Sequence, residues 1–270
     1  MARDPNPQRI WLTGATSGIG EALARRLLDD GHRVALTSRG KAGLERLAKD
    51  HENAMPVPAD ITDRASMQDA AARIDEAFDG LDMVIFNAGT CVYLDGGRVD
   101  TTLVRDNFEP NFFGTIHGIE VALPLLHKAR RQGARPQIVA TSSASAYLAL
   151  PRAEAYGASK AALSYFLESL RLDLAHQGID VSVIHPGFVK TPLTERNDFP
   201  MPMAVTPEQA AKAIFEGLSA RRRDIHFPRR FTYLVKFMGI LPLRLRIALG
   251  KRLVRREDDD ASTPHKERNQ

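Results

Sequence analysis

Ile10-Trp11-Leu12-Thr13-Gly14-Ala15-Thr16-Ser17-Gly18-Ile19-Gly20 is a short apolar run that leads directly into a glycine-rich turn. A helical pattern over Glu21–Asp30 follows at once. Glycines let a backbone turn tightly and approach a phosphate group, while the start of a helix offers free N–H groups and a partial positive charge. This order of strand, turn and helix therefore predicts a βαβ unit that holds a pyrophosphate at residues 14–20.

Short apolar runs alternate with longer amphipathic stretches along most of the chain. The apolar runs, which suit strands buried on both faces of a parallel sheet, are Ile10–Thr13, Val34–Ser38, Met83–Phe86, Ile138–Thr141 and Val181–Ile184. The helical patterns are Glu21–Asp30, Ala42–Asp50, Ser66–Phe78, Phe112–Arg131, Ala158–His176 and Pro207–Ala220. This alternation predicts an α/β fold with a doubly wound parallel sheet, the Rossmann fold.

The composition of the 270 residues, 43% hydrophobic and 26% charged, is that of a globular protein. No linker rich in Pro, Gly or Ser divides the chain, so we expect one Rossmann-fold domain over residues 1–228. A basic, apolar extension over 229–256 and a disordered tail over 257–270 follow. A single cysteine and eight histidines without metal-ligand spacing predict no metal site. The polar N-terminus Met1–Arg9 carries no secretory signal, so we expect a cytoplasmic protein.

The basic charge is concentrated near the C-terminus. Between Arg221 and Arg256 twelve Lys or Arg residues accompany one acid, Asp224, whereas the whole chain carries only +4. Such a local surplus argues against a nucleic-acid partner, which would require a broader positive field. Its uncharged runs are too short to span a bilayer. Two interpretations stay open: a lid or subunit contact at the substrate pocket, or an amphipathic element on an anionic membrane surface.

Several motifs occur in one register. The glycine spacing is Gly14-x-x-x-Gly18-x-Gly20, and it is followed by Asn87-Ala88-Gly89, by Tyr156-x-x-x-Lys160 and by Pro186-Gly187-x-Val189-x-Thr191. Over roughly Arg9 to Phe227 the chain resembles the short-chain dehydrogenase/reductase family. The resemblance implies an enzyme that transfers hydride between a nicotinamide cofactor and a carbonyl or alcohol, and a homo-oligomer, either a dimer or a tetramer.

The end of the second predicted strand favours one of the two nicotinamide dinucleotides. Ser38 stands where an acid would bind the ribose 2′-hydroxyl of NAD, and Arg39 follows it. A small uncharged residue beside a guanidinium suits a 2′-phosphate, so we predict NADP(H). The resemblance implies further cofactor contacts at Gly14, Thr16, Ser17, Gly18, Ile19, Gly20, Asp60, Ile61, Asn87, Ala88, Gly89, Tyr156, Lys160, Pro186, Gly187, Val189 and Thr191.

Tyr156 and Lys160 lie four residues apart, so a helix would present both side chains to one site. A free phenol titrates near ~10, and a nearby cation lowers that pKa. We therefore predict that Lys160 makes Tyr156 a better acid and base. By resemblance Ser143, rather than Ser142 or Ser145, binds the substrate oxygen.

The resemblance also implies a role for an asparagine at the start of the fourth predicted helix, Phe112–Arg131. There Asn111, rather than Asn107, holds a water of a proton relay. An Asn inside an apolar helical stretch also needs buried hydrogen-bond partners, so a purely structural role would equally explain an Asn at this position.

The expected function is NADP-dependent reduction of a carbonyl, or oxidation of the corresponding alcohol, on a small-molecule substrate. The apolar C-terminal extension favours an extended apolar ketone as that substrate, while small carbonyl compounds and sugars stay open. Two other interpretations stay open: a nucleotide-responsive regulatory protein that uses the same fold, and a membrane-surface module.

Overall fold

A seven-stranded sheet in which all neighbouring strands are parallel forms the centre of the protein. The structure, a computed structural model, describes residues 7–94, 97–195 and 197–251. The spatial order is β3-β2-β1-β4-β5-β6-β7. The strands are β1 (Arg9–Thr13), β2 (Arg33–Thr37), β3 (Ala54–Pro56), β4 (Met83–Phe86), β5 (Gln137–Thr141), β6 (Asp180–Pro186) and β7 (Asp224–Phe227).

Helices cover both faces of this sheet. They are α1 (Gly18–Asp29), α2 (Lys41–Ala48), α3 (Arg64–Phe78), α4 (Thr101–Phe108), α5 (Gly114–Arg131), α6 (Glu154–Ala175), α7 (Pro207–Ser219), α8 (Arg229–Ile240) and α9 (Leu243–Lys251). A π-helical turn, Glu109–Phe113, precedes α5, and a 3₁₀ turn, Ala144–Ala146, follows β5.

Alternate side chains of the central strands pack into two separate hydrophobic cores, one on each face of the sheet. In β1, Trp11 packs into the core that α3, α5 and α6 cover, whereas Ile10 and Leu12 pack into the core beneath α1 and α7. All three side chains are fully buried. Because both faces of the strand are apolar, the sheet needs helices on each side. The predicted doubly wound parallel sheet is confirmed.

Several elements differ from the sequence prediction. The sequence patterns did not predict α4, β7, α8 or α9. The helix predicted from Phe112 begins as a π turn that contains Pro110, whose ring nitrogen has no N–H to donate. The helix predicted from Ala158 already begins at Glu154, so Tyr156 lies in its first turn.

The C-terminal extension is helical as far as the structure describes it. Of the predicted extension over 229–256, residues 229–251 are described and 252–256 are not; the predicted tail over 257–270 also lies outside the described residues. No helix in the described ranges combines the length and apolarity that crossing a membrane requires.

Candidate active site

The carboxyl ends of β1, β4, β5 and β6 place the sequence motifs along one edge of the sheet. Strand order reverses between β1 and β4, since β1 is followed along the chain by β2 on one side and later by β4 on the other. Ligands of open α/β sheets bind in the crevice at such a switch point. The glycine turn leaves β1 and the Asn87–Gly89 segment leaves β4 at this crevice.

The glycine turn is packed too tightly for side chains. Gly14 has a positive φ of 69°, and a Cβ there would lie 2.8 Å from the backbone of Ala88. A Cβ on Gly20 would overlap the carbonyl oxygen of Gly14. The extended residue before α1, Ser17, makes no side-chain cap hydrogen bond to the helix. The first N–H groups of α1 are thus left for a ligand, and this fits a pyrophosphate.

Thr13 and Asn87 hold the turn against β4. The Thr13 hydroxyl accepts hydrogen bonds from the backbone N–H groups of Asn87, at 3.1 Å, and of Ala88, at 3.3 Å. The side-chain amide of Asn87 donates to the carbonyl of Gly14 at 3.4 Å. Asn87 therefore acts within the protein as a brace of the cofactor crevice, in addition to any ligand contact.

The side chains expected near the adenosine half lie together. Arg39 is exposed and makes no hydrogen bond or close ion pair with a described residue, so its guanidinium is available to an anion. Both the backbone and the hydroxyl of Thr62 donate to Asp60, at 2.9 and 2.8 Å. These bonds, chiefly the backbone one, lower the pKa of Asp60, and Arg39 adds to the effect. Ser38 donates to the carbonyl of Gly40 at 3.3 Å.

Other predicted cofactor residues contribute packing. The methyl group of Thr16 faces Gly43 on α2, where a Cβ would lie 3.0 Å away. Ile61 covers Gly114 at the start of α5 at the same distance. Ile19 packs against the core beneath α1 and α7. All three side chains thus make packing contacts within the protein, and their contacts with a cofactor stay predictions.

Two asparagines fix the segment that follows Gly89. Asn111 accepts a hydrogen bond from the Thr90 N–H at 2.9 Å, and its amide donates to the Thr90 carbonyl at 3.0 Å and to Ser159 at 3.0 Å. One helical turn earlier, Asn107 makes the same pair of bonds with Val92. Both side chains are fully buried. The side-chain amides therefore hydrogen-bond to backbone groups, which is the kind of buried partner that a structural role of Asn111 needs.

Lys160 is buried at the centre of the site, only 4% exposed. Its ammonium donates to the carbonyl of Thr141 at 2.8 Å and lies 6.0 Å from the ring centroid of Tyr156. A Cβ on Gly89 would lie 3.3 Å from this ammonium, so glycine leaves room for it. Burial lowers the pKa of Lys160 to about 8.

Burial dominates the electrostatics of Tyr156. It raises the pKa of the phenol, and the hydroxyl of Ser143 opposes that rise without cancelling it. The Lys160 ammonium is directed at the Thr141 carbonyl. The lowering of the Tyr156 pKa by Lys160, expected from the sequence, stays a prediction.

The two serines that follow β5 have different environments. The hydroxyl of Ser143 accepts from the N–H of Ser145 at 3.2 Å and thereby caps the 3₁₀ turn at the crevice. Ser142 is buried and donates to the carbonyl of Lys160 at 2.9 Å. Ser143 is therefore the better placed of the two to meet a substrate, and its contact with the substrate oxygen stays a prediction.

The turn after β6 closes the other side of the crevice. The N–H of Gly187, the residue after Pro186, donates to the Phe227 carbonyl at 2.7 Å. Val189 is buried and bridges to Val205. Thr191 lies against the glycine turn, since a Cβ on Gly18 would be 2.9 Å from its methyl group. The two ligand-facing turns are thus in direct contact.

A row of aromatic rings borders the substrate side of the site. Tyr93 and Phe199 lie 5.3 Å apart, Phe199 and Phe188 6.1 Å, and Phe188 and Phe231 5.4 Å, measured between ring centroids. Sequence reasoning assigned no role to this row of rings. It gave no signal for Phe231, which reaches the site from α8.

An ion pair that the sequence did not reveal joins two of the loops around this row. Arg152 binds both carboxylate oxygens of Asp198, at 2.9 and 3.1 Å. The carbonyl of Arg152 also accepts from the N–H of Leu94 at 2.9 Å. The loops that contain Asp198 and Leu94 therefore meet just before α6.

Comparison with known proteins agrees with this geometry. The sequence profile of a family described as short chain dehydrogenase matches residues 8–200. An uncharacterized oxidoreductase of Myxococcus xanthus is 32% identical over 246 residues, which are 90% of this chain and 96% of the relative. A protein of Arabidopsis thaliana named 11-beta-hydroxysteroid dehydrogenase 1A is 31% identical over 258 residues, covering 85% of this chain and 71% of the relative.

Solved structures share the fold. A short chain dehydrogenase/reductase from Burkholderia phymatum, determined in complex with NAD, superposes with a TM-score of 0.76 at 23% identity, covering 86% of this chain and 92% of the other. A short-chain dehydrogenase from Streptomyces avermitilis has the same TM-score at 22% identity, with coverages of 92% and 98%. From the family profile and the sequence relatives, this chain belongs to the short-chain dehydrogenase/reductase family of oxidoreductases.

Proposed function

We propose that this chain is an NADP(H)-dependent oxidoreductase that reduces a carbonyl group, or oxidises the corresponding alcohol, with Tyr156 as acid and base. The observation that carries the proposal is the convergence of Ser143, Tyr156 and Lys160 beside the uncapped start of α1. A phosphate-binding helix start and a proton donor at one crevice suit a dinucleotide-dependent reaction.

The bound nicotinamide would supply or accept the hydride. Ser143 donates a hydrogen bond to the substrate oxygen and orients it. Tyr156 donates a proton to that oxygen during reduction. Burial raises the pKa of the phenol, so Tyr156 carries its proton at neutral pH, which is the form that reduction requires.

Lys160 and Asn111 would serve the proton supply and the cofactor. With a pKa of about 8, Lys160 is largely charged at neutral pH and close enough to its pKa to exchange a proton. We assign it the binding of the nicotinamide ribose and the return of a proton to Tyr156. Asn111 holds the Thr90 backbone and thereby the wall past Gly89, and a water beside it would continue the relay.

Arg39 and Ser38 support NADP(H) over NAD(H). An exposed guanidinium with no close partner among the described residues matches the phosphate oxygens of a 2′-phosphate in a forked geometry. Asp60 lies near Arg39, and its carboxylate is partly satisfied by Thr62. Arg39 is therefore not fully neutralised by its surroundings.

We propose an extended apolar ketone as the substrate class. The aromatic row of Tyr93, Phe199, Phe188 and Phe231 supplies an apolar border to the site. A relative named as a hydroxysteroid dehydrogenase is consistent with such a substrate. Small carbonyl compounds would leave most of this border without contacts.

We further propose that α8 and α9 rest on an anionic membrane surface. Residues 229–251 contain six Lys or Arg and no Asp or Glu. Large apolar side chains are exposed on both helices: Tyr233, Leu234, Phe237, Ile240, Leu243, Leu245, Ile247 and Leu249. Apolar side chains among cations match the interface of an anionic bilayer in both polarity and charge. The protein would otherwise reside in the cytoplasm.

A homo-oligomer, as a dimer or tetramer, is proposed through α6. Tyr165 and Leu172, seven residues apart on this helix, are 78% and 76% exposed. Residues spaced by two helical turns share one face, and a second copy of the chain would cover them. The molar mass in solution, measured by light scattering, tests this proposal.

The test of the proposed function is a panel of aliphatic, steroidal and sphingoid ketones with NADPH or NADH, followed by nucleotide absorbance. The proposal requires NADPH oxidation coupled to equal formation of the alcohol, faster than with NADH. A protein that binds NADPH but turns over no member of the panel would favour the nucleotide-responsive regulatory interpretation. Vesicle binding without nucleotide binding would leave only the membrane-surface module.

A further inference from the structure

Four side chains form a polar cluster beside the candidate active site, here called the Asp224 cluster: Asp224, His185, Lys236 and Tyr147. His185 Nδ1 lies 2.9 Å from one carboxylate oxygen of Asp224, and the Lys236 ammonium lies 2.5 Å from the other. The Tyr147 hydroxyl donates to both oxygens, at 3.1 and 3.3 Å. One carboxylate thus joins β6, β7, α8 and the turn that follows Ser143.

The cluster is also held together by its rings. The ring of Tyr147 stacks on His185 with centroids 4.5 Å apart, and the Lys236 ammonium lies 4.7 Å from the centroid of Tyr147. Burial acts to raise the pKa of Asp224, but His185 and Lys236 outweigh it, so the pKa lies well below its usual range. The carboxylate is therefore charged whenever the protein is folded near neutral pH.

On its inner side the cluster reaches the helix that carries Tyr156. His185 is 4% exposed, and its Nε2 lies 3.1 Å from the hydroxyl of Ser164 on α6. The Ser164 hydroxyl in turn donates to the carbonyl of Lys160 at 3.0 Å and contacts Ser142 at 2.8 Å. Ser164, His185 and Asp224 have the order of a nucleophilic triad. However, the serine oxygen is occupied by the Lys160 carbonyl and by Ser142, so we assign it no nucleophilic role.

On its outer side the cluster fixes α8 over two parts of the active site. Gly239 of α8 lies directly on the carbonyl of Tyr147, where a Cβ would overlap the oxygen. Phe231 of the same helix covers Gly187, with a ring carbon 2.7 Å from the place of a Cβ. A displacement of α8 would therefore disturb both the turn after Ser143 and the turn after β6.

We propose that Asp224 and Lys236 are positioning residues that hold α8 against Tyr147 and thereby set the turn carrying Ser143. The sequence of contacts runs from Lys236 to Asp224 and Tyr147, and from Tyr147 through two turn hydrogen bonds to Ser143. In those bonds the N–H of Ala146 donates to the Ser143 carbonyl at 3.0 Å, and the N–H of Tyr147 to the Ala144 carbonyl at 3.1 Å. The kinetic part of this inference rests on the proposed function; the structural part does not.

The test compares Lys236→Met with Arg230→Met, which removes an exposed cation from the same helix and leaves the cluster intact. Amide hydrogen exchange at Ser145, Ala146 and Tyr147 should accelerate about tenfold or more in Lys236→Met and stay at the wild-type rate in Arg230→Met. Lys236→Arg should restore protection, because a guanidinium can reach the same carboxylate. Tyr147→Phe keeps the ring but loses the hydrogen bonds to Asp224. Its amide exchange rates should therefore lie between those of the wild type and those of Lys236→Met.

The kinetic readout uses phenanthrenequinone as the carbonyl probe. In Lys236→Met, kcat should fall about 5–30-fold, with NADPH affinity within about twofold of wild type. Equal amide exchange in Lys236→Met and Arg230→Met would overturn the proposal, as would failure of Lys236→Arg to restore protection. Exchange needs no substrate, so a wild-type protein inactive on the probe would count against the proposed function and leave the exchange result to decide this inference.

Discussion

Lys160 should make the free energy of unfolding depend on pH, because its ammonium is buried while that of the unfolded chain is in water. Burial lowers the pKa of Lys160 from 10.5 to about 8. Between those two values the unfolded chain binds the proton and the folded protein releases it. Stability rises with pH wherever the unfolded state holds more protons, so this lysine stabilises the fold progressively as pH rises through that window.

The magnitude follows from the difference in pKa. A gap of about 2.5 pKa units corresponds to about 3 kcal/mol in total, of which about 2 kcal/mol is gained between about pH 7.5 and pH 9.5. Below about pH 8 both states carry the proton, so the contribution of Lys160 is constant there. Because the side chain is only 4% exposed, solvent screening reduces this figure little.

Urea denaturation of the wild-type protein and Lys160→Met at several pH values measures this effect. Burial raises the pKa values of Cys91 and Tyr156, so these groups lower stability at high pH in both proteins. Cys91 and Lys160 also interact through their charges, so the difference between the two proteins reports Lys160 together with its coupling to Cys91. Lys41→Met is the matched control, because the Lys41 side chain is 72% exposed.

We expect the stability of the wild type relative to Lys160→Met to increase by about 2 kcal/mol between about pH 7.5 and pH 9.5, and relative to Lys41→Met to stay constant. Parallel pH profiles for wild type and Lys160→Met would refute the reasoning. That result would mean that Lys160 remains fully hydrated and charged over this range, contrary to its buried position.

Three other changes give independent results. Arg39→Leu should weaken NADPH binding about 10–100-fold at low salt and leave NADH binding unchanged, as fluorescence titration would measure; equal losses for both nucleotides would contradict the 2′-phosphate assignment. Asn111→Ala should lower the free energy of unfolding by about 3 kcal/mol, because it leaves the N–H and carbonyl of Thr90 without their side-chain partner and removes a hydrogen bond to Ser159, and an unchanged denaturation midpoint would exclude that bracing role. The double change Phe237→Ser and Ile240→Ser should reduce binding to phosphatidylserine vesicles at least about tenfold, whereas Val99→Ser, at an exposed apolar residue outside both helices, should not; equal binding by both would remove the membrane proposal.

The strands of the central sheet were predictable because they are buried on both faces. Ile10–Thr13 and Met83–Phe86 match the observed β1 and β4 to within a residue. The edge strand β7 escaped prediction because it alternates polar and apolar residues, with Asp224 and His226 directed away from the buried Ile225 and Phe227. α4 has little apolar surface, and its buried residue is Asn107, so periodicity gave no signal.

The candidate site was predictable in its residues but not in its environments. Spacing along the chain singled out Tyr156 and Lys160, and the resemblance to the family singled out Asn111; the fold brings the three elements together. Whether a charge is buried depends on side chains far away in the sequence, so the direction of the Tyr156 pKa shift could not be read from a local pattern. The Asp224 cluster could not be predicted either, because its four residues come from segments that are far apart in the sequence. One of these segments is β7, which the sequence patterns did not predict.

The start of α6 shows the same limit at a smaller scale. The residue before the helix, Ala153, makes no side-chain cap, so the sequence carries no start signal there. Tyr156 therefore lies inside the first turn rather than ahead of the helix. The prediction that Tyr156 and Lys160 share one helical face is unaffected by this difference, because both residues lie within α6.

The acid role of Tyr156 is tested most directly by NADPH-dependent ketone reduction in Tyr156→Phe and Tyr165→Phe. Both tyrosines are on α6, but Tyr165 is 78% exposed and away from the crevice. We expect Tyr156→Phe to lose at least about a hundredfold in kcat while binding NADPH normally, and Tyr165→Phe to match the wild type. Wild-type turnover by Tyr156→Phe would show that the proton comes from another group.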